Sequence, residues 1–89
     1  MPVVAIIDGI KLLFYYHDHP PAHFHLIHAM FEAQVAIEDG RFLELSGKIS
    51  RSQRRKIAAF VARHRDELMS NWRLVTGDPA QQPKRIEDD

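Results

Sequence analysis

The 89 residues include no cysteine, which excludes a disulfide framework and any thiolate metal site. An ion bound here must therefore be held by imidazole and carboxylate. The chain also lacks any apolar run near the roughly twenty residues that cross a bilayer. Its start, Met-Pro-Val-Val-Ala-Ile-Ile, has neither the basic region nor the small-residue cleavage site of a secretory signal. These absences predict a soluble, cytoplasmic protein with no membrane association. No Ser/His/Asp, Walker-type or dinucleotide signature occurs. Glycine is scarce, with four residues in all, so each one marks a place where the chain turns or an element ends.

Net charge is zero, but the signs are segregated. Residues 1–45 carry two basic against six acidic side chains, residues 46–74 eight against two, and the remainder two against four. Such asymmetry bears on association and steering rather than on fold. Five positive charges without an acid fall between Lys48 and Lys56, among them Arg51, Arg54 and Arg55. They form a footprint for an acidic partner or phosphate. A solvated helix face is the plainer account, and the neutral total and absence of a docking motif speak against nucleic acid.

What is present in excess is histidine. Five of the six histidines lie between Tyr16 and His28, in Tyr-His-Asp-His-Pro-Pro-Ala-His-Phe-His-Leu-Ile-His. Neutral imidazole is the commonest protein metal ligand and the side chain that titrates near neutrality. His17 and His19, and His23 and His25, are each two residues apart, so in extended chain each pair shares a face. The Pro20-Pro21 bend between the pairs can bring them together. His19, His23 and His25 are thus candidate ligands for zinc or another divalent metal, with His17 a further candidate. Beside that reading stands another, that these histidines simply hydrogen-bond backbone and neighbours around a stiff loop. His28 has the opposite parity, which also rules out the alternating histidine triad of nucleotide hydrolases.

The length suits one small domain, here residues 1–77 with a tail over 78–89. Val3–Ile7 and Ile10–Tyr16, joined by Asp8-Gly9, predict a hairpin with a type I′ turn. The prolines interrupt the second strand, and His23–His28 resumes it. Phe31, Ala33, Val35 and Ile37 alternate with polar or small residues as a strand with one buried face, turned by Glu38-Asp39-Gly40. Phe42–Leu45 returns. Ser50 and Gln53 have capping-box spacing, and Ile57, Phe60, Val61, His64, Leu68 and Trp72 form one stripe of a long helix. Thr76-Gly77-Asp78-Pro79 ends it, with Gly77 expected in a left-handed cap. The fold class is α+β: an antiparallel meander of about five strands with one C-terminal helix packed on one face. Alternation favours Phe24 and Leu26 facing the helix, which turns His23 and His25 away from His64. The opposite register would bring the three together.

Three blocks carry a resemblance: Asp18-His19-Pro20-Pro21 with His23-Phe24-His25; His64-Arg65-Asp66-Glu67-Leu68 with Trp72; and Pro83-Lys84-Arg85-Ile86-Glu87. Together they resemble an uncharacterised bacterial family, domain of unknown function 4160. The resemblance implies a small protein of unassigned activity, accompanied by a second short protein in a toxin–antitoxin-like two-gene module. Where the family tends to have glycine and an acidic residue after the histidine-bearing strand, this chain has Ala29 and Met30, which removes a candidate carboxylate ligand. The tail is polar and expected to be mobile from composition, whereas the resemblance implies that Ile86 docks on the sheet.

The leading expectation is an intracellular binding or regulatory module that binds a small protein partner or a second copy of itself. The alternative is a small metal- or histidine-dependent enzyme of phosphodiester or nucleotide hydrolysis, in which Arg51, Arg54 and Arg55 hold phosphate near the histidines. Catalytic residues are not assignable from the sequence.

Overall fold

The computed structural model describes residues 3–87. Strands β1 (Val3–Ile7), β2 (Ile10–Leu13), β3 (His23–His28), β4 (Phe31–Ala36) and β5 (Phe42–Gly47) precede one helix, α1 (Arg51–Thr76). The strands form a single antiparallel sheet in the order β1-β2-β3-β4-β5. Asp8 and Gly9 both have positive φ, 49° and 78°, as the type I′ turn demands of its two central residues. The second strand is shorter than the sequence pattern suggests. Its ladder stops at Leu13, and Phe14 continues into the core without strand pairing.

Register decides which side chains meet α1. Phe24 lies opposite Val35 and Leu26 opposite Ala33, while Leu12 faces Leu26 from the other side. All of these are buried in one cluster with Ile57, Phe60, Val61, Leu68 and Val75 of the helix. The larger apolar pair of β3 therefore faces α1, as the alternation implies, and His25 points to the helix-free face of the sheet. That face carries Lys11, Ile27, Glu32, Gln34, Glu44 and Ser46, the neighbours in register with the outward residues of β3.

Helix α1 starts where the sequence places it. Ser50 Oγ accepts from Gln53 N–H at 3.0 Å, and Gln53 Oε1 accepts from Ser50 N–H at 2.9 Å. At His64 the backbone leaves helical geometry (φ −123°, ψ 24°), so the element is kinked there. The C-terminus differs from expectation: Gly77 is extended (φ −72°, ψ 172°) rather than left-handed. Space is tight there, since a Cβ would lie 3.1 Å from the Arg73 carbonyl oxygen. No helix among the described residues is long and apolar enough to cross a membrane.

The tail through Glu87 is placed by two contacts that a composition reading misses. The buried Asn71 amide donates to the Lys84 carbonyl and accepts from Lys84 N–H, each at 2.8 Å. Ile86 is buried in the core cluster, and its N–H donates to the Val4 carbonyl at 2.8 Å. This bond lies on the outer side of β1, at one edge of the sheet.

Candidate metal centre

The segment between β2 and β3 is fastened at both ends. His17, in left-handed geometry (φ 59°), donates its N–H to the Val75 carbonyl near the end of α1 at 3.0 Å. The Ala22 carbonyl accepts from Ile37 N–H at 3.1 Å. Between these ties the loop folds back over the start of β3 and delivers Asp18 to His23 and His25. One oxygen, Asp18 Oδ2, lies 2.9 Å from His23 Nε2 and 2.9 Å from His25 Nε2. Among the described residues, Asp18, His23 and His25 form the group whose ligand atoms all fall within 4.8 Å of one another.

The rings are held by their surroundings. His23 is buried, with its ring centroid 5.3 Å from that of Trp72 and 5.0 Å from that of His25. Tyr15 lies against His25 at 4.0 Å. His23 Nδ1 is 2.7 Å from the Pro21 carbonyl oxygen. A carbonyl only accepts, so Nδ1 carries the hydrogen. Nε2 of the neutral ring then presents a lone pair to Asp18 Oδ2, acceptor against acceptor, unless a cation lies between them. That cation is either a proton or a metal ion. Fixing a histidine by a carbonyl at its far nitrogen is how metal-ligating imidazoles are oriented.

Burial acts to raise the Asp18 carboxyl, but the His25 hydrogen bond, the His19 N–H and the charge of His23 and His25 outweigh it, and together they hold the group below the usual carboxylate range. The ionised form is thus the one the site favours. With metal–ligand bonds of about 2.1 Å, neighbouring donors stand roughly 3.0 Å apart in an octahedral ion and roughly 3.4 Å apart in a tetrahedral one. The two 2.9 Å separations from Asp18 Oδ2 are close to the octahedral spacing, and all three ligand atoms lie within 4.8 Å of one another.

The remaining candidates lie elsewhere. The His19 side chain is 89% exposed, with Nδ1 3.6 Å from Asp18 Oδ1, and it stands outside the three-residue group. His17 is exposed and contributes its backbone rather than its ring. His28 stacks on Phe31 with its Nδ1 accepting from Met30 N–H. His64 packs on Phe60, with its Nδ1 2.7 Å from Glu67 Oε1, and is not a member of the group. Asp18 is the member of this group that sequence reasoning missed. It is the one carboxylate between Asp8 and Glu32, and that isolation within a histidine-rich stretch was the available signal.

Arg54 is far from the Asp18, His23 and His25 group. Arg54 lies over the Phe42 ring at 4.5 Å, whereas His23 rests on Trp72, eighteen residues further along α1, or about 27 Å of helix. That separation gives no support to a phosphate held by Arg51, Arg54 and Arg55 beside Asp18, His23 and His25, the arrangement that the enzyme alternative requires. On the helix-free face, an open groove of about 590 Å³ adjoins the cluster, lined by Tyr15, His25, Glu32, Gln34, Glu44 and Ser46 among others. Its charged lining residues, Glu32 and Glu44, are both acidic.

Comparison with known proteins adds one assignment. No curated protein and no solved structure gave a significant match. The family model described as Domain of unknown function (DUF4160) matches residues 9–73, a span that covers the hairpin turn, the Asp18, His23 and His25 group and most of α1. The chain belongs to this family, DUF4160.

Proposed function

We propose that this protein is a small metal-binding module in which Asp18, His23 and His25 hold one divalent transition ion, zinc or nickel. The observation that carries the reading is the position of His23. Its Nδ1–H is committed to the Pro21 carbonyl, which leaves Nε2 facing the same carboxylate oxygen that His25 faces. A metal ion satisfies all three donors at once, and the nitrogen and oxygen set suits zinc, nickel and similar first-row ions. Three protein ligands leave coordination positions open to a ligand from outside.

Calorimetric titration with zinc and with nickel tests the reading. Wild-type protein is expected to give a saturable one-to-one heat that weakens as pH falls, since protons compete for the imidazoles. Identical heats from wild type and from the double variant His23→Ala/His25→Ala contradict it.

The groove beside His25 favours a second reading, in which the ion presents a bound small molecule for reaction. The acidic lining by Glu32 and Glu44 disfavours phosphate-bearing substrates there, so phosphodiester or nucleotide hydrolysis has little support from this site.

A further inference from the structure

The two edges of the sheet are unlike. At β1 the tail lies alongside, with Ile86 N–H bonded to Val4. At β5 no strand among the described residues flanks the outer side, and residues 44–48 are exposed. Lys48 N–H donates to the Met30 carbonyl at 2.9 Å. The alternation of an antiparallel ladder then turns the backbone groups of Glu44 and Ser46 toward β4 and those of Leu45 and Gly47 to the open side. An extended segment laid along β5 finds these groups ready to pair.

The chain leaves β5 directly into the start of α1, where Arg51, Arg54 and Arg55 are exposed. Arg54 stands over Phe42, the first residue of β5. Lys56 is paired with Asp8, whereas none of these three arginines has an ion-pair partner among the described residues. The open edge and the uncompensated cations are therefore neighbours. We propose that β5 and the start of α1 form a docking surface for an extended acidic segment of a partner protein, which adds to the sheet as a sixth strand. Its backbone pairs with Leu45 and Gly47, and its acidic side chains on the helix side meet Arg51, Arg54 and Arg55. A nucleic acid fits less well, because it has no use for a strand edge and because Glu44 on the same strand repels phosphate.

Fluorescence anisotropy with a labelled nine-residue peptide of alternating glutamate and valine tests the proposal on the full-length protein, with the lysine–valine peptide and a single-stranded DNA oligomer as comparisons. The expected result is saturable binding of the glutamate peptide, at least tenfold weaker in the variant Arg51→Glu/Arg54→Glu/Arg55→Glu and weaker at high salt. Peptides N-methylated on one edge or the other keep the charges and lose backbone donors on that edge. One of the two phases should lose binding and the other retain it. Equal binding by the lysine peptide, indifference to both methylation phases, or DNA binding lost in the triple variant without any peptide binding would each overturn the proposal. Because the variant positions are remote from Asp18, His23 and His25, metal binding is read separately and its loss or retention leaves this result intact.

Discussion

Asp18 is the residue on which the cluster turns, and it has a pH signature that needs no metal. Its carboxyl lies below the usual range in the folded protein, against an unfolded value of about 3.9. For a depressed carboxylate, the stabilising contribution is present above the unfolded value and is lost as pH falls through the folded one. Wild-type stability should therefore decline below about pH 4, partly through this residue. Asp18→Asn is expected to flatten that acid limb in denaturation midpoints taken from pH 2 to pH 7, and an unchanged limb would show that Asp18 is not held by its histidines. Asp18 was hard to read in the sequence because its role depends on a loop closing over β3. Spacing within a strand shows that His23 and His25 share a face, but it does not show what a preceding loop brings to them. His19 misled for the same reason: it shares the loop's composition, and the loop's path leaves it in solvent.

At the scale of elements, local signals were the legible ones. The Asp8-Gly9 turn and the Ser50 and Gln53 cap are fixed by residues two or three apart, so their chemistry is contained in the sequence. The stripe on α1 also held, with Ile57, Phe60, Val61 and Leu68 buried. Asn71 and Val75 extend that stripe, and Asn71 escaped notice because its burial depends on Lys84 thirteen residues away. Gly77 misled because the helix ends there in extended backbone and not in a left-handed cap. Phe60, only 1% exposed, reports the packing of α1 on the sheet. Phe60→Ala should cost about 3–5 kcal/mol in chemical denaturation, a large share of what so small a domain has. An unchanged midpoint would mean that this face of α1 does not carry the core.

Across the whole molecule, the histidine cluster and the arginine cluster occupy opposite ends of one helix, and charge segregation along the sequence becomes separation in space. His23 leans on Trp72 near the end of α1, while Arg54 covers Phe42 at its start. The proposed ion site and the proposed docking surface are thus far apart, and variants at either one are expected to leave the other unaltered. The central claim, that Asp18, His23 and His25 form a metal site, is tested most directly by nuclear magnetic resonance of the imidazole nitrogens during a zinc titration. The account predicts a saturable one-to-one shift of Nε2 in His23 and His25, abolished by Asp18→Asn, with His17, His19, His28 and His64 little changed. Shifts spread over the exposed His17 and His19, or none at His23, would contradict it.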